Sequence, residues 1–278
     1  MLPVHGRNTG LFRRWRAGPR HGEGTKRRPV AGIYALAGLV IAIWGSTFIS
    51  TKILLAAFTP VEIIVYRFAA AYLVMFALYP RFHKPESLKT EITLALAGIS
   101  GGSLYFLAEN FALDYSFASN VSLLVSTAPI LTAILAHFFL KGERLGKRAV
   151  VGAVIAFAGA GLVILNGKFV LKLNPLGDFL AVLSALSWAV YSVLVRNLDT
   201  KRSPYYVTRK IFFWTLVTTA PVLLVSPVRF DLSPLLEPAI FLNLAFLVCF
   251  ASSLAYVAWN HVIWSIGATK ANNLIYFI

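Results

Sequence analysis

Apolar runs of membrane-spanning length organise this 278-residue chain. Stretches of about 20 mainly apolar residues, the length that carries a helix across roughly 30 Å of hydrocarbon, lie at 33–50, 61–79, 92–113, 118–140, 149–166, 176–195, 206–226 and 239–263. A further run starts near Ala268 and is cut off at Ile278. Short polar segments separate the runs, and most prolines fall in or beside them, where a missing amide donor costs little. Pro129 and Pro221 lie inside runs, and each is expected to kink its helix. The pattern predicts an all-α, polytopic membrane protein.

The runs are also written twice. At an offset of about 150 residues, 103–128 and 253–278 match without a gap at Ser103/Ser253, Leu104/Leu254, Ala108/Ala258, Asn110/Asn260, Ala118/Ala268 and Leu124/Leu274. An offset of about 144 pairs Trp44 with Trp188, Lys52 with Arg196 and Pro60 with Pro204. The expected organisation is a basic tail over 1–30, a first copy over 31–166 and a second over 175–278. The first copy runs on from Ala128 to Asn166, whereas the second stops at Ile278, which aligns with Ala128. The second copy is therefore expected to be truncated in the ninth helix.

A formal charge of +15 and a pI near 10.1 would point to nucleic acid in a soluble protein, but here the charges follow the runs, and no nucleic-acid partner is expected. Apart from Lys52, Lys168, Lys172, Arg229 and the intrahelical Arg67, every Lys and Arg falls in the tail or in connections on the tail's side. The positive-inside rule then places the N-terminus in the cytoplasm of a multi-pass protein of the cell membrane. An odd number of helices in the first copy makes the second enter from the opposite side, so the copies form an inverted five-plus-five repeat, the second incomplete. Inverted repeats around a site at mid-membrane are a recurring basis for alternating access. The tail has no apolar core of the kind a cleaved signal needs. It reads either as an organelle transit peptide or as a solvated segment near anionic lipid.

A hydrophobic fraction of 58% against 13% charged residues makes the bilayer the principal partner. The lone Cys249 gives no disulfide or cysteine-based metal site. His5, His21, His83, His137 and His261 form no pair at metal-binding spacing on one helix, so neither metal nor cofactor is expected. The acids are mostly single and near helix ends, unlike the cluster an intramembrane enzyme needs. Transport of a small-molecule substrate is the expected function. A non-transporting scaffold or receptor, or an inactive fragment, is the alternative, and the oligomeric state stays open, a homodimer included.

Ionisable groups inside hydrocarbon are costly and mark candidate sites. Arg67 and Glu109 fall at similar depth, roughly 8 to 10 Å below the outer surface by helical rise. They read as a gate or substrate-binding pair, with Glu109 available for proton coupling, or as a permanent ion pair that positions two helices. Asn110 and Asn260, mirrored in depth, read as paired cavity mouths or as interhelical hydrogen bonds. Trp44 and Trp188 lie well inside their helices rather than at the headgroups, where an indole lines a cavity for an amphipathic or aromatic substrate or simply packs. Ser46, Thr47 and Tyr191 follow the tryptophans closely, Tyr105 lies one turn before Glu109, and Ser122 and Ser126 form a polar stripe. Each is equally able to bond a carbonyl of its own helix. Gly152, Ala156 and Ala160 form a small-residue ladder suited to close helix approach.

The segments WGSTFISTK (44–52), YRFAAA (66–71) and ASNVSLLVSTAPILTAILAHFFLKGERL (118–145) resemble the EamA-type transporters of the drug/metabolite transporter superfamily. The resemblance runs from about residue 33 to the end, and its most specific part leads through Pro129 to KGER. It implies ten helices in two inverted five-helix repeats, a central cavity, and export of small metabolites, amino acids or drugs across a cytoplasmic membrane. It does not fix the substrate. The chain departs from that pattern in lacking the remainder of the ninth helix and the tenth.

Overall fold

The computed structural model describes residues 30–278 except 144–145, 147–149, 153, 156, 160–161, 163–173, 199–200, 227, 230 and 278. The basic tail, half of the 149–166 run, and Ala156 and Ala160 of its ladder lie outside the described residues. Among those described there is no strand. The helices are α1 Val30–Leu54, α2 Pro60–Leu78, α3 Leu88–Tyr115, α4 Ala118–Phe139, α5 Pro175–Asn197, α6 Pro204–Leu224 and α7 Pro238–Ile266. All seven are long and apolar enough to cross a membrane. A short α8, Ala268–Asn273, follows Gly267.

Local chemistry sets where these helices begin. At α2, Thr59 Oγ1 accepts the Glu62 amide at 3.2 Å while Glu62 Oε2 accepts the Thr59 amide at 2.8 Å, a reciprocal cap with Pro60 preset for the first turn. At α6 Ser203 Oγ accepts the Tyr206 amide at 3.3 Å and Pro204 opens the first turn, a one-sided version of the same start. At α5, Asn174 Oδ1 accepts the Gly177 amide at 3.0 Å and its Nδ2 donates to the Tyr115 carbonyl at 3.0 Å. That bond ties the start of α5 to the end of α3. Because the 23 residues of α5 rise about 34 Å, Arg196 lies at the far end of the bundle from Tyr115.

Both internal prolines interrupt their helices. α4 stops at Val125 and resumes at Ala128, with Pro129 in the new first turn. Pro129 cannot donate to the Val125 carbonyl and crowds it. The hydroxyls of Ser126 and Thr127 donate to the Ser122 and Leu124 carbonyls, each at 2.7 Å, so side chains take up carbonyls beside the break. α6 tightens into a 3-10 turn over Ala220–Leu224, around Pro221.

Helix packing is reciprocal between the sequence copies. α1 lies against α7 and α5 against α3, while α2 and α6 lie against each other. Phe68 and Phe212, mates at the shorter offset, meet with ring centroids 5.1 Å apart. Phe68 contacts Phe106 at 5.0 Å, and Phe212 contacts Tyr256, the mate of Phe106, at 5.4 Å. In lipid, where tails are as apolar as side chains, close van der Waals packing and interhelical hydrogen bonds hold helices together.

The same correspondence extends to the backbone. α3 widens into a π turn over Ile99–Ser103, and α7 does so over Leu247–Leu254, which contains the positions aligned with it. A π turn perturbs the carbonyl ladder, and side chains from other helices use the carbonyls there. Tyr256 donates to the Gly101 carbonyl at 2.6 Å, and Trp44 Nε1 to the Ala251 carbonyl at 3.0 Å. Gly101 is needed for close approach, since a Cβ there would lie 2.2 Å from the Tyr191 ring. At the helix ends, Lys52 Nζ donates to the carbonyls of Leu113 and Ser116. Arg196 Nη1 donates to those of Trp264 at 2.7 Å and Ile263 at 3.5 Å. Each cation sits at the carbonyl end of a helix, where the macrodipole favours it.

Candidate functional site

Two oppositely charged side chains are buried against one cavity. Arg67 is 2% and Glu109 4% exposed, and both line a space between α1, α2, α3, α4, α5 and α7. Its lining on α1 to α4 comes from the half of the bundle nearer Lys52. Arg67 Nε donates to Ser252 Oγ at 2.7 Å, and the guanidinium carbon stands 4.3 Å from the Phe106 ring centroid. Its terminal nitrogens meet no acceptor among the described residues. Glu109 Oε1 accepts the Tyr105 hydroxyl at 2.6 Å.

The depth arithmetic allows these two charges to pair, and the structure separates them. No ion pair among the described residues joins Arg67 to Glu109. Ser252 and Phe106 fix the guanidinium, and Tyr105 holds the carboxylate, so each charge has its own anchors.

Aromatic residues form the rest of the wall. Trp44 meets Trp188 edge to face with centroids 5.2 Å apart, and Tyr105 lies 5.3 Å from Trp188. The Trp188 indole donates to Asn272 Oδ1 at 3.0 Å, leaving its faces for packing and for the cavity. Thr47, Ser122 and Ser126 also line it. Their hydroxyls are spent on Trp44, Ser119 and Ser122 carbonyls, so the polarity they present is mainly oxygen lone pairs.

Four of the residues singled out from sequence lie elsewhere. Ser46 is exposed and bonds the Ala42 carbonyl, because a residue two beyond Trp44 points to the opposite side of a helix. Tyr191 is fully buried, with its hydroxyl on Asn260 Oδ1 at 2.5 Å. Asn260 Nδ2 donates to Thr208 Oγ1 at 3.1 Å, and Asn110 Nδ2 donates to the Pro60 carbonyl at 3.1 Å. Both asparagines therefore tie a helix to its neighbour within their own copy. The cavity also uses Phe48, Phe106, Val125, Ala128, Tyr256 and Ile275, which sequence reasoning passed over. Phe106 and Tyr256 were accessible through the repeat alignment that paired Asn110 with Asn260.

The cavity holds about 50 Å3, room for a few waters and below the ~300 Å3 at which small-molecule sites begin. The aromatic walls must part before an organic solute enters. A roomier groove of about 420 Å3 runs past Glu86, Lys89, Asn197 and Lys201, but it is surface and holds no buried charge. Among the described residues no group of His, Cys, Asp and Glu is arranged to hold a metal ion. The chemistry on offer is guanidinium donors and carboxylate oxygen within one aromatic enclosure, which suits a solute with an ionic group beside an apolar part.

Comparison with known proteins agrees with a membrane carrier. The model of the EamA-like transporter family matches residues 32–165 and again 175–278. An uncharacterized transporter of Archaeoglobus fulgidus is 27% identical over 88% of this chain and 84% of its own. The uncharacterized transporter YyaM of Bacillus subtilis is 31% identical over 82% of this chain and 76% of its own. The uncharacterized inner membrane transporter YedA of Escherichia coli K12 is 31% identical over 54% and 49%. One crystal structure superposes with a TM-score of 0.68 at 19% identity over 89% of this chain and 85% of that one, a likeness of fold. With two family matches and an all-helical bundle of membrane-spanning length, the chain belongs to the EamA-like transporter family and is a multi-pass membrane transporter.

Proposed function

We propose that the chain moves small amphipathic solutes with an ionic group, amino acids among them, across the cell membrane by alternating access between two inverted copies, 31–166 and 175–278. The observation that carries this reading is the pair of buried, separately anchored charges, Arg67 and Glu109, on one aromatic cavity. A permanent structural ion pair would join them directly. Here Arg67 lines the cavity, and its terminal nitrogens meet no acceptor among the described residues. Reciprocal packing of the copies, with Lys52 and Arg196 in matching roles at opposite ends, supports the inverted arrangement. The distribution of Lys and Arg supports a cytoplasmic N-terminus. Glu109 is the carboxylate placed for proton coupling, and the site's work is transport rather than catalysis.

The test is counterflow in proteoliposomes with a panel of amino acids, organic acids and amines, comparing wild type with Glu109→Gln and Arg67→Ala, and with melting in detergent as the folding control. We expect a solute that wild type moves and that a folded variant moves about tenfold more slowly or worse, the loss of one charge-assisted contact of about 1.5 kcal/mol or more. Wild-type transport left unchanged by both variants would remove this cavity from the reading.

A further inference from the structure

A carboxylate with four polar contacts lies outside the cavity. Glu143, in the turn after α4, is 13% exposed. Its Oε1 accepts the Ala268 amide at 2.9 Å, and its Oε2 accepts the Thr269 amide at 2.8 Å and the Thr269 hydroxyl at 2.7 Å. Arg196 Nε approaches Oε1 at 3.3 Å, while its Nη1 holds the carbonyls ending α7. Gly267 is shaped for this contact. Its φ of +94° suits glycine, and a Cβ there would lie 2.8 Å from Glu143 Oε1. One side chain of the first copy thus holds the end of α5 and the start of α8 of the second directly, and the end of α7 through Arg196.

The opposite end of the bundle has parts that match Arg196 and the α8 corner. Lys52 holds the end of α3 as Arg196 holds the end of α7. Ala118 and Ser119 begin α4 where Ala268 and Thr269 begin α8, but Phe117 at that corner supplies no side-chain cap. The cavity lies in the half of the bundle nearer Lys52. Below it, toward Glu143, the route is filled by Trp188 on Asn272 and by Tyr191 and Thr208 on Asn260.

We propose that Glu143 is a transport residue: it is the hub of the gate that closes the Arg196 end of the bundle while the cavity is reached from the Lys52 end. Removing the carboxylate releases the α7–α8 corner from α4 and from Arg196 together, and favours the conformation open at the Arg196 end. The inference rests on the alternating-access reading above. Because the copies exchange conformations, loosening one end must tighten the other.

The test reads both ends in the full chain, with Cys249→Ala to remove the native thiol. Ala271→Cys reports the buried helix under the clamp, and Ser122→Cys reports the cavity. Each is labelled in oriented vesicles with a membrane-impermeant maleimide, with and without Glu143→Ala. The expected result is reciprocal: labelling at 271 from the Arg196 side rises about fivefold or more, and labelling at 122 from the Lys52 side falls by a similar factor. Glu143→Asp restores part of the wild-type pattern. Unchanged labelling at both sites overturns the gate, and so does a rise at both, which marks general loosening. Labelling needs no substrate, so a failure here is distinct from a failure of the cavity variants in counterflow.

Discussion

Trp44 and Trp188, about 144 residues apart and aligned by the internal repeat, meet edge to face at 89° with their centroids 5.2 Å apart. Their indole NH groups go to different partners, the Ala251 carbonyl and Asn272 Oδ1. Trp188→Phe keeps the aromatic contact and strands Asn272 Oδ1. The expected cost is about 1 to 3 kcal/mol for the unmade buried bond, read as a lower melting temperature in detergent. Adding Asn272→Leu should recover part of it.

Ser252 holds Arg67 Nε from across the bundle. Ser252→Ala leaves the charge in place but frees it to turn from Phe106. Transport KM should rise about tenfold, the value of ~1.4 kcal/mol of lost orientation, with protein yield and melting near wild type. An unchanged KM would mean that Phe106 alone orients the guanidinium.

Gly101 and Gly38 are both helical glycines with opposite surroundings. A Cβ at Gly101 would meet the Tyr191 ring at 2.2 Å, whereas one at Gly38 meets nothing within 4 Å. Gly101→Ala should destabilise by about 1 to 3 kcal/mol through overpacking. Gly38→Ala should be neutral or stabilising by up to about 1 kcal/mol through helix propensity. Parallel melts of the two variants distinguish the effects.

His83, in the connection after α2, lies between Tyr79 and Arg202. Since Arg202 can only donate, His83 Nδ1 accepts and Nε2 carries the proton, donated to the Tyr79 hydroxyl. Partial burial, with the charges of Arg202, Arg209 and Arg81, holds its pKa below the ordinary imidazole value. A depressed base pKa means that the unfolded chain takes up the proton first. This site therefore destabilises the fold as pH drops below about 6.5 and has no effect well above it. NMR titration of His83 should show a midpoint below 6.5, moving up in Arg202→Gln.

Helix existence was legible because apolar length is a one-dimensional property: the run at 61–79 became Pro60–Leu78 and the run at 176–195 became Pro175–Asn197. Rise per residue is fixed as well, so the sequence could set Arg67 and Glu109 at similar depth, and both line one cavity. Azimuth was only partly legible. Ser46 could have been assigned away from Trp44 by helical geometry alone. The partners that keep Arg67 and Glu109 apart, Ser252 and Tyr105, required the packing of α2 on α7 and the rotamer of α3. Glu143 was visible only as part of a motif, because its partners lie about 125 residues further along.

Lys52 is one of the few cations outside the cluster on the tail's side, and its bonds to the carbonyls that end α3 change its weight. A charge absorbed by a helix terminus is no longer a free charge for the inserting membrane to sort. Counted that way, the contrast between the two sides is sharper in the folded chain than in its sequence, and a neutral residue at 52 should loosen α3 without reversing the way the chain threads the bilayer.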